Sequence, residues 1–331
     1  MPLFLAMLRR ETVGAPERMA KALEGLRRYQ EAERPARLEP PAAVAEKLGA
    51  SLRDYGGAGR PVVFIPSLIN PPSILDLSKE KSLLRWLAAD GRVRPLLLDW
   101  GWDLEARRDL SVAGHVEEIA VPLIEALGER PALVGYCLGG TMAIGAAGAV
   151  EARAVATIAA PWRFSGFPGE ARAMLADLWS QSKATAERLG ALPMEVLQSA
   201  FWSLDPGRTV AKFEAFAGME KGTAEAAAFV TLEDWANDGP PLPVAAAREL
   251  FEDLFAGDVT GRGRWLTADP AALPCPLLDI VSTTDRIVPS ASSAGVGQRV
   301  ELGQGHVGMM VGRDARRVLW EPLAGWLGAE G

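Results

Sequence analysis

Cysteine and histidine are scarce in this chain. Its 331 residues include only two of each, Cys137, Cys275, His115 and His306. A disulfide framework is therefore excluded: Cys137 lies in a glycine-rich octapeptide, Cys275 lies between Pro274 and Pro276, and a reducing cytoplasm is expected. With two histidines and no C-x-x-C, no protein-built zinc site is expected, and no motif implies a cofactor. An excess of positive charge is also missing. The formal net charge of −7 argues against a nucleic-acid partner. No apolar run approaches the ~18 residues of a membrane span. The N-terminal run Met1–Leu8 is short and is followed by Arg9 and Arg10, the reverse of the order in a secretory signal. What remains is an ordinary globular composition, 49% hydrophobic, on a chain long enough for one large core with an insertion.

The chain is read in three parts. Residues 1–45 form a helical arm: Met19, Leu23 and Leu26 recur at helical spacing, while Arg18, Lys21, Arg27 and Arg28 make the other face basic. A solvated helix packed on the rest of the protein is expected. A docking surface for a partner subunit or an anionic interface is the sharper alternative. Residues 46–160 and 269–331 alternate strand and helix. Strands are expected at 61–66, 93–98, 131–136, 155–159, 276–281 and 299–302, with helices at 78–89, 111–127 and 314–327. That rhythm implies an α/β fold, a mostly parallel sheet with helices on both faces. Residues 161–268 break it with an aromatic-rich helical stretch and no convincing strand. It reads as a cap insertion over a pocket, most of its rings forming the cap's own core.

The stretch that organises the chemistry is Val134-Gly135-Tyr136-Cys137-Leu138-Gly139-Gly140-Thr141. An apolar strand, small residues two places either side of a nucleophile, and a following helix make a nucleophile elbow. The turn is strained, and only small residues at Gly135 and Gly139 let strand and helix approach there. Taken alone, the octapeptide fits a structural glycine turn around a buried cysteine equally well. A nucleophilic cysteine needs a base and a group that orients the base. In the α/β-hydrolase fold these follow late strands in the order nucleophile, acid, histidine. Asp285 lies just past the strand at 276–281, and His306 just past the strand at 299–302. Cys137, Asp285 and His306 are thus read as a triad. The oxyanion donors are the N–H of Leu138 and one from the loop after the first core strand, Ser67 or Leu68. Of the rivals, His115 is expected to be an exposed helical histidine. Asp279 lies within a strand as an alternative acid, and Asp99 is expected to serve a turn. A thiolate exchanges with a thioester at nearly even energy, so cysteine favours acyl transfer over hydrolysis.

Five segments resemble the polyhydroxyalkanoate synthases, most nearly the short catalytic subunit of the two-component type. They are Leu68-Ile-Asn-Pro-Pro-Ser-Ile-Leu-Asp-Leu77, Leu98-Asp-Trp-Gly101, Gly135-Tyr-Cys-Leu-Gly-Gly-Thr141, Thr284-Asp-Arg-Ile-Val-Pro289 and Gly305-His-Val-Gly308. The resemblance implies that Cys137 carries a growing acyl chain, His306 activates the thiol, and Asp285 supports the histidine or the incoming hydroxyl. It further implies an (R)-3-hydroxyacyl-CoA substrate, a homodimer or second synthase subunit, and a polyester granule surface as partners. A cysteine hydrolase acting on thioesters or polyesters is the alternative. The chain departs from the family pattern at Leu138, where tryptophan is usual, at Arg163, where aspartate is usual, and at Asp279, where a neutral residue is usual.

Overall fold

A computed structural model describes residues 2–329. The outer ends of the arm and of the core, residue 1 and residues 330–331, lie outside the described residues. Eight strands form one sheet among them: β1 (Ala43–Lys47), β2 (Ala50–Asp54), β3 (Arg60–Ile65), β4 (Val93–Asp99), β5 (Ala132–Tyr136), β6 (Ala154–Ile158), β7 (Leu277–Ser282) and β8 (Gln298–Leu302). Their spatial order is β1-β2-β4-β3-β5-β6-β7-β8. Strands β3 to β8 run parallel, while β1 pairs antiparallel with β2, and β2 antiparallel with β4.

Successive residues of a strand serve opposite faces, and both faces are covered. Val63, Ile65, Leu96, Leu98 and Leu133 join the core under the helix at residues 112–125 and the helix Leu138–Ala147. Val62, Phe64, Leu97 and Val134 join the opposite core with Leu84 and Leu87 of the helix Leu83–Asp90 and with Leu323 and Leu327 near the C-terminal end. This mostly parallel sheet with helices around it is the α/β-hydrolase architecture.

Three expectations are corrected. Two strands, β1 and β2, precede the first one expected at 61–66, and the boundary at 45/46 falls inside β1. Strand β1 escaped the reading because, at the exposed edge, it is short and mostly solvent-facing, and β2 because Ala50–Asp54 carries no apolar run. The helix expected from Ser78 begins at Leu83, because Ser82 caps it by accepting a hydrogen bond from the Arg85 N–H at 3.0 Å. The insertion contains a minimal strand pair, Ala191–Leu192 with Leu242–Pro243.

The arm is built from α1 (Pro2–Glu11) and α2 (Pro16–Glu31), and it docks on a helix of the insertion, Pro206–Ala217. Phe4, Leu8 and Leu26 bury against Val210 and Phe213. Gly25 permits the approach, since a Cβ there would collide with the Phe213 carbonyl. Much of the basic face is paired within the chain. Arg18 bonds Glu214 at 2.9 Å, Arg27 bonds Glu24 and Glu31, and Arg28 donates to the carbonyls of Ala217 and Met219. No helix among the described residues is long and apolar enough to cross a membrane.

Candidate active site

Because the strands around it are parallel, the loops after β3, β5, β7 and β8 meet at one edge of the sheet. Cys137 stands between β5 and the helix Leu138–Ala147 with φ 56° and ψ −133°, a conformation that side chains other than glycine rarely adopt. Its N–H donates to the Ile158 carbonyl at 3.0 Å, and its own carbonyl accepts from Gly140 N–H at 2.8 Å. The flanking glycines are sterically required. A Cβ at Gly135 would collide with the Gly139 backbone, and one at Gly139 with the carbonyl of Ile65. The second clash shows how closely the start of the helix approaches the loop after β3.

His306 donates or shares a proton from Nδ1 with Asp285 Oδ2 across 2.6 Å, and both residues are buried. The other carboxylate oxygen of Asp285 accepts the N–H groups of Ile287 at 2.8 Å and Val288 at 3.0 Å, so the carboxylate is held from both sides. His306 and Cys137 line the same cavity. Burial disfavours the imidazolium, but the Cys137 sulfur and the Asp285 carboxylate outweigh it and raise the His306 pKa above its ordinary value. The structure thus pairs His306 with Asp285 and sets Cys137 near them: Cys137 and His306 border one cavity, Cys137 and Asp285 another.

Leu138 opens its helix, where the first N–H groups have no intrahelical acceptor. Ser67 and Leu68 are buried in the loop after β3, and Ser67 Oγ accepts the Ile69 N–H at 3.2 Å. That loop is braced from below: the Trp100 indole N–H donates to the Pro66 carbonyl at 3.1 Å. Buried Arg107 in turn clamps the carbonyls of Trp100 and Gly101.

The rivals lie elsewhere. Asp279 is buried and accepts from Thr157 Oγ1 at 3.0 Å, away from His306. A Cβ added at Gly295 would meet the Arg163 guanidinium, and the Gly295 N–H points at Asp279 at 3.4 Å, so two departures from the family pattern sit on either side of one glycine. Asp99 serves its turn, accepting from Gly101 N–H and pairing with Arg53. His115 is corrected. It is fully buried, edge-on to the Trp100 ring at 5.7 Å, with Nδ1 2.7 Å from the Ser111 carbonyl. Burial lowers its pKa to about 4. Sequence reasoning missed Tyr136. Its ring stacks on His306 at 4.8 Å and its hydroxyl donates to the His306 carbonyl at 3.2 Å. The available signal was its place beside the nucleophile. Among the described residues no group of three or more His, Cys, Asp or Glu side chains is arranged to hold a metal ion.

Two cavities open on Cys137, sharing Ile69, Phe201 and Ile287 as a neck. One, of about 170 Å³, runs past Asn70, Gln198, Trp202, Lys212, Trp235 and Asn237. The other, of about 570 Å³, runs past Leu138 into the insertion, between Phe164, Phe167, Phe251 and Phe255.

Comparison with known proteins adds the following. A profile described as the alpha/beta hydrolase family matches residues 62–319. The chain is 23% identical over 304 residues to the poly(3-hydroxyalkanoate) polymerase subunit PhaC of Haloarcula marismortui, covering 85% of this chain and 63% of that protein. It is 25% identical over 292 residues to the subunit of the same name from Allochromatium vinosum, covering 81% and 80%. The chain therefore spans less than two thirds of the length of the haloarchaeal relatives it matches. Among solved structures, a monoacylglycerol lipase from Paleococcus ferrophilus superposes with a TM-score of 0.53 at 16% identity, over 85% of this chain and 99% of that one. That likeness concerns the fold alone.

Proposed function

The chain belongs to the alpha/beta hydrolase family, and within it we propose a polyhydroxyalkanoate synthase-like acyltransferase using a Cys137–His306–Asp285 triad. One observation supports the reading: the residue at the strained turn, which shares a cavity with the His306–Asp285 pair, carries a thiol rather than a hydroxyl. The relatives named PhaC support the same reading.

In this mechanism His306 takes the Cys137 proton, and the thiolate attacks the carbonyl carbon of an (R)-3-hydroxyacyl-CoA thioester. The tetrahedral oxyanion is held by the N–H groups of Leu138 and of Leu68 or Ser67. Collapse breaks the carbon–sulfur bond to CoA, and the His306 imidazolium returns the proton to the leaving thiolate. A 3-hydroxyl group then attacks the acyl-cysteine, His306 accepts its proton, and an ester forms as the Cys137 sulfur is released. By the same likeness, its partners would be a second copy or companion subunit and a polyester granule surface in the cytoplasm.

Purified protein supplied with (R)-3-hydroxyacyl-CoA should release CoA and accumulate insoluble polyester. Free hydroxy acid as the sole acyl product would replace this reading with the hydrolase. CoA release that persists in Cys137→Ala would remove the nucleophile assignment.

A further inference from the structure

The two cavities that meet at Cys137 are both mainly apolar and differ in size and in the polar groups they present. The smaller one presents amides and a cation: Asn70, Gln198 and Asn237, with Lys212 held 2.8 Å from Glu233. The larger one is walled mainly by apolar groups. Phe164 stacks on Phe167 at 5.8 Å, and Phe255 packs edge-on to both, at 4.9 Å and 5.0 Å. Rings interlocked in this way hold their shape instead of collapsing into the space they border. Glu170, Ser203, Asp285 and Arg286 add polar groups to the lining.

Resting on the acyl-transfer reading above, we propose that the larger cavity receives the acyl side chain and selects medium-length or aryl-bearing hydroxyacyl groups over the four-carbon unit. At about 570 Å³ it falls within the range of ~300–1,000 Å³ that binds whole small molecules, which the smaller cavity does not reach. A four-carbon hydroxyacyl group projects a single methyl into it and leaves the aromatic wall uncovered. Each further methylene buried there is worth about fourfold in kcat/KM until the space is filled. Leu138 lines this cavity and also supplies an oxyanion N–H, so a carbonyl seated on that donor has its substituent beside the apolar wall. The smaller cavity, with its amides and Lys212, is then left to the thioester's leaving arm. The covalent step is unchanged: the bond to CoA breaks, the bond to Cys137 Sγ forms, and the thiol proton ends on CoA.

The test measures CoA release from (R)-3-hydroxyacyl-CoA thioesters of four, six, eight and ten carbons, and from the 5-phenyl five-carbon analogue. The kcat/KM values should rise by at least tenfold from four to eight carbons. Ala200→Phe, which narrows the cavity from the helix Met194–Leu204, should reduce the eight- to four-carbon ratio at least tenfold. A flat series, or one that falls with length, overturns the inference while leaving the acyl-transfer reading intact. If no thioester releases CoA, that reading fails and a binding measurement decides the cavity's role. Intact Cys137→Ala protein titrated with (R)-3-hydroxydecanoate should then show a dissociation constant at least tenfold below that for (R)-3-hydroxybutyrate. Equal or weaker binding of the longer acid overturns the inference.

Discussion

Asp285 Oδ2 lies 2.6 Å from His306 Nδ1, and the carboxylate's other oxygen is pinned by two backbone N–H groups. The imidazole is therefore held in one tautomer, beside the cavity it shares with Cys137. Asp285→Asn keeps the shape but presents an amide that can donate to Nδ1, reversing the tautomer. The expected loss in kcat is about 10²–10⁴-fold with KM little changed, read from steady-state CoA release.

Trp100 touches none of the triad, yet its indole N–H holds the Pro66 carbonyl one residue before the candidate oxyanion loop. Trp100→Phe removes that donor and leaves a buried carbonyl unpaired, at a cost of about 1–3 kcal/mol in stability. If the bond positions the loop, kcat should fall about tenfold while KM holds. A loss confined to the urea midpoint would reduce Trp100 to a packing role.

Cys137 occupies its turn at a price in backbone strain that glycine would not incur. Cys137→Gly should accordingly be more stable than Cys137→Ala by about 1–2 kcal/mol, with both variants inactive. Paired urea titrations check the difference. Equal midpoints would mean the turn is not strained in solution.

His115 is buried and neutral, its pKa lowered to about 4 by loss of hydration. A histidine whose folded pKa lies below its unfolded value adds stability at neutral pH and withdraws it as the pH falls. The withdrawal begins near the unfolded value of ~6.5 and is complete below about 4, amounting to about 3 kcal/mol. Subtracting the pH profile of His115→Gln from that of the intact chain isolates the effect. A difference that stays constant between pH 7 and pH 4 would contradict it.

The parts of the site that were legible are those where chemistry leaves a local pattern. Gly135 and Gly139 announce a turn no larger residue could make, and Asp285 and His306 each follow a late strand in the expected order. Tyr136 and Trp100 act through a ring face and an indole N–H toward residues distant in the chain, so their positions beside the nucleophile and in the Leu98–Gly101 segment did not reveal those roles. His115 was misjudged because its helix packs against the sheet across Trp100, a tertiary fact that helical spacing does not carry. Strands β1 and β2 were missed because neither Ala43–Lys47, at the edge, nor Ala50–Asp54 beside it carries an apolar run. The cavities arise between the insertion and the core, and their walls are assembled from residues that read singly as ordinary core.

The arm's attachment has a consequence for how the protein is made. Arg18 meets Glu214 196 residues later in the chain, and the apolar face of α2 has its seat on the same distant helix. At about 5–20 residues per second, a ribosome leaves the arm without its seat for roughly 10–40 seconds. Throughout that interval Phe4, Leu8 and Leu26 have no native surface to cover them, and they are the residues a chaperone would be expected to find first.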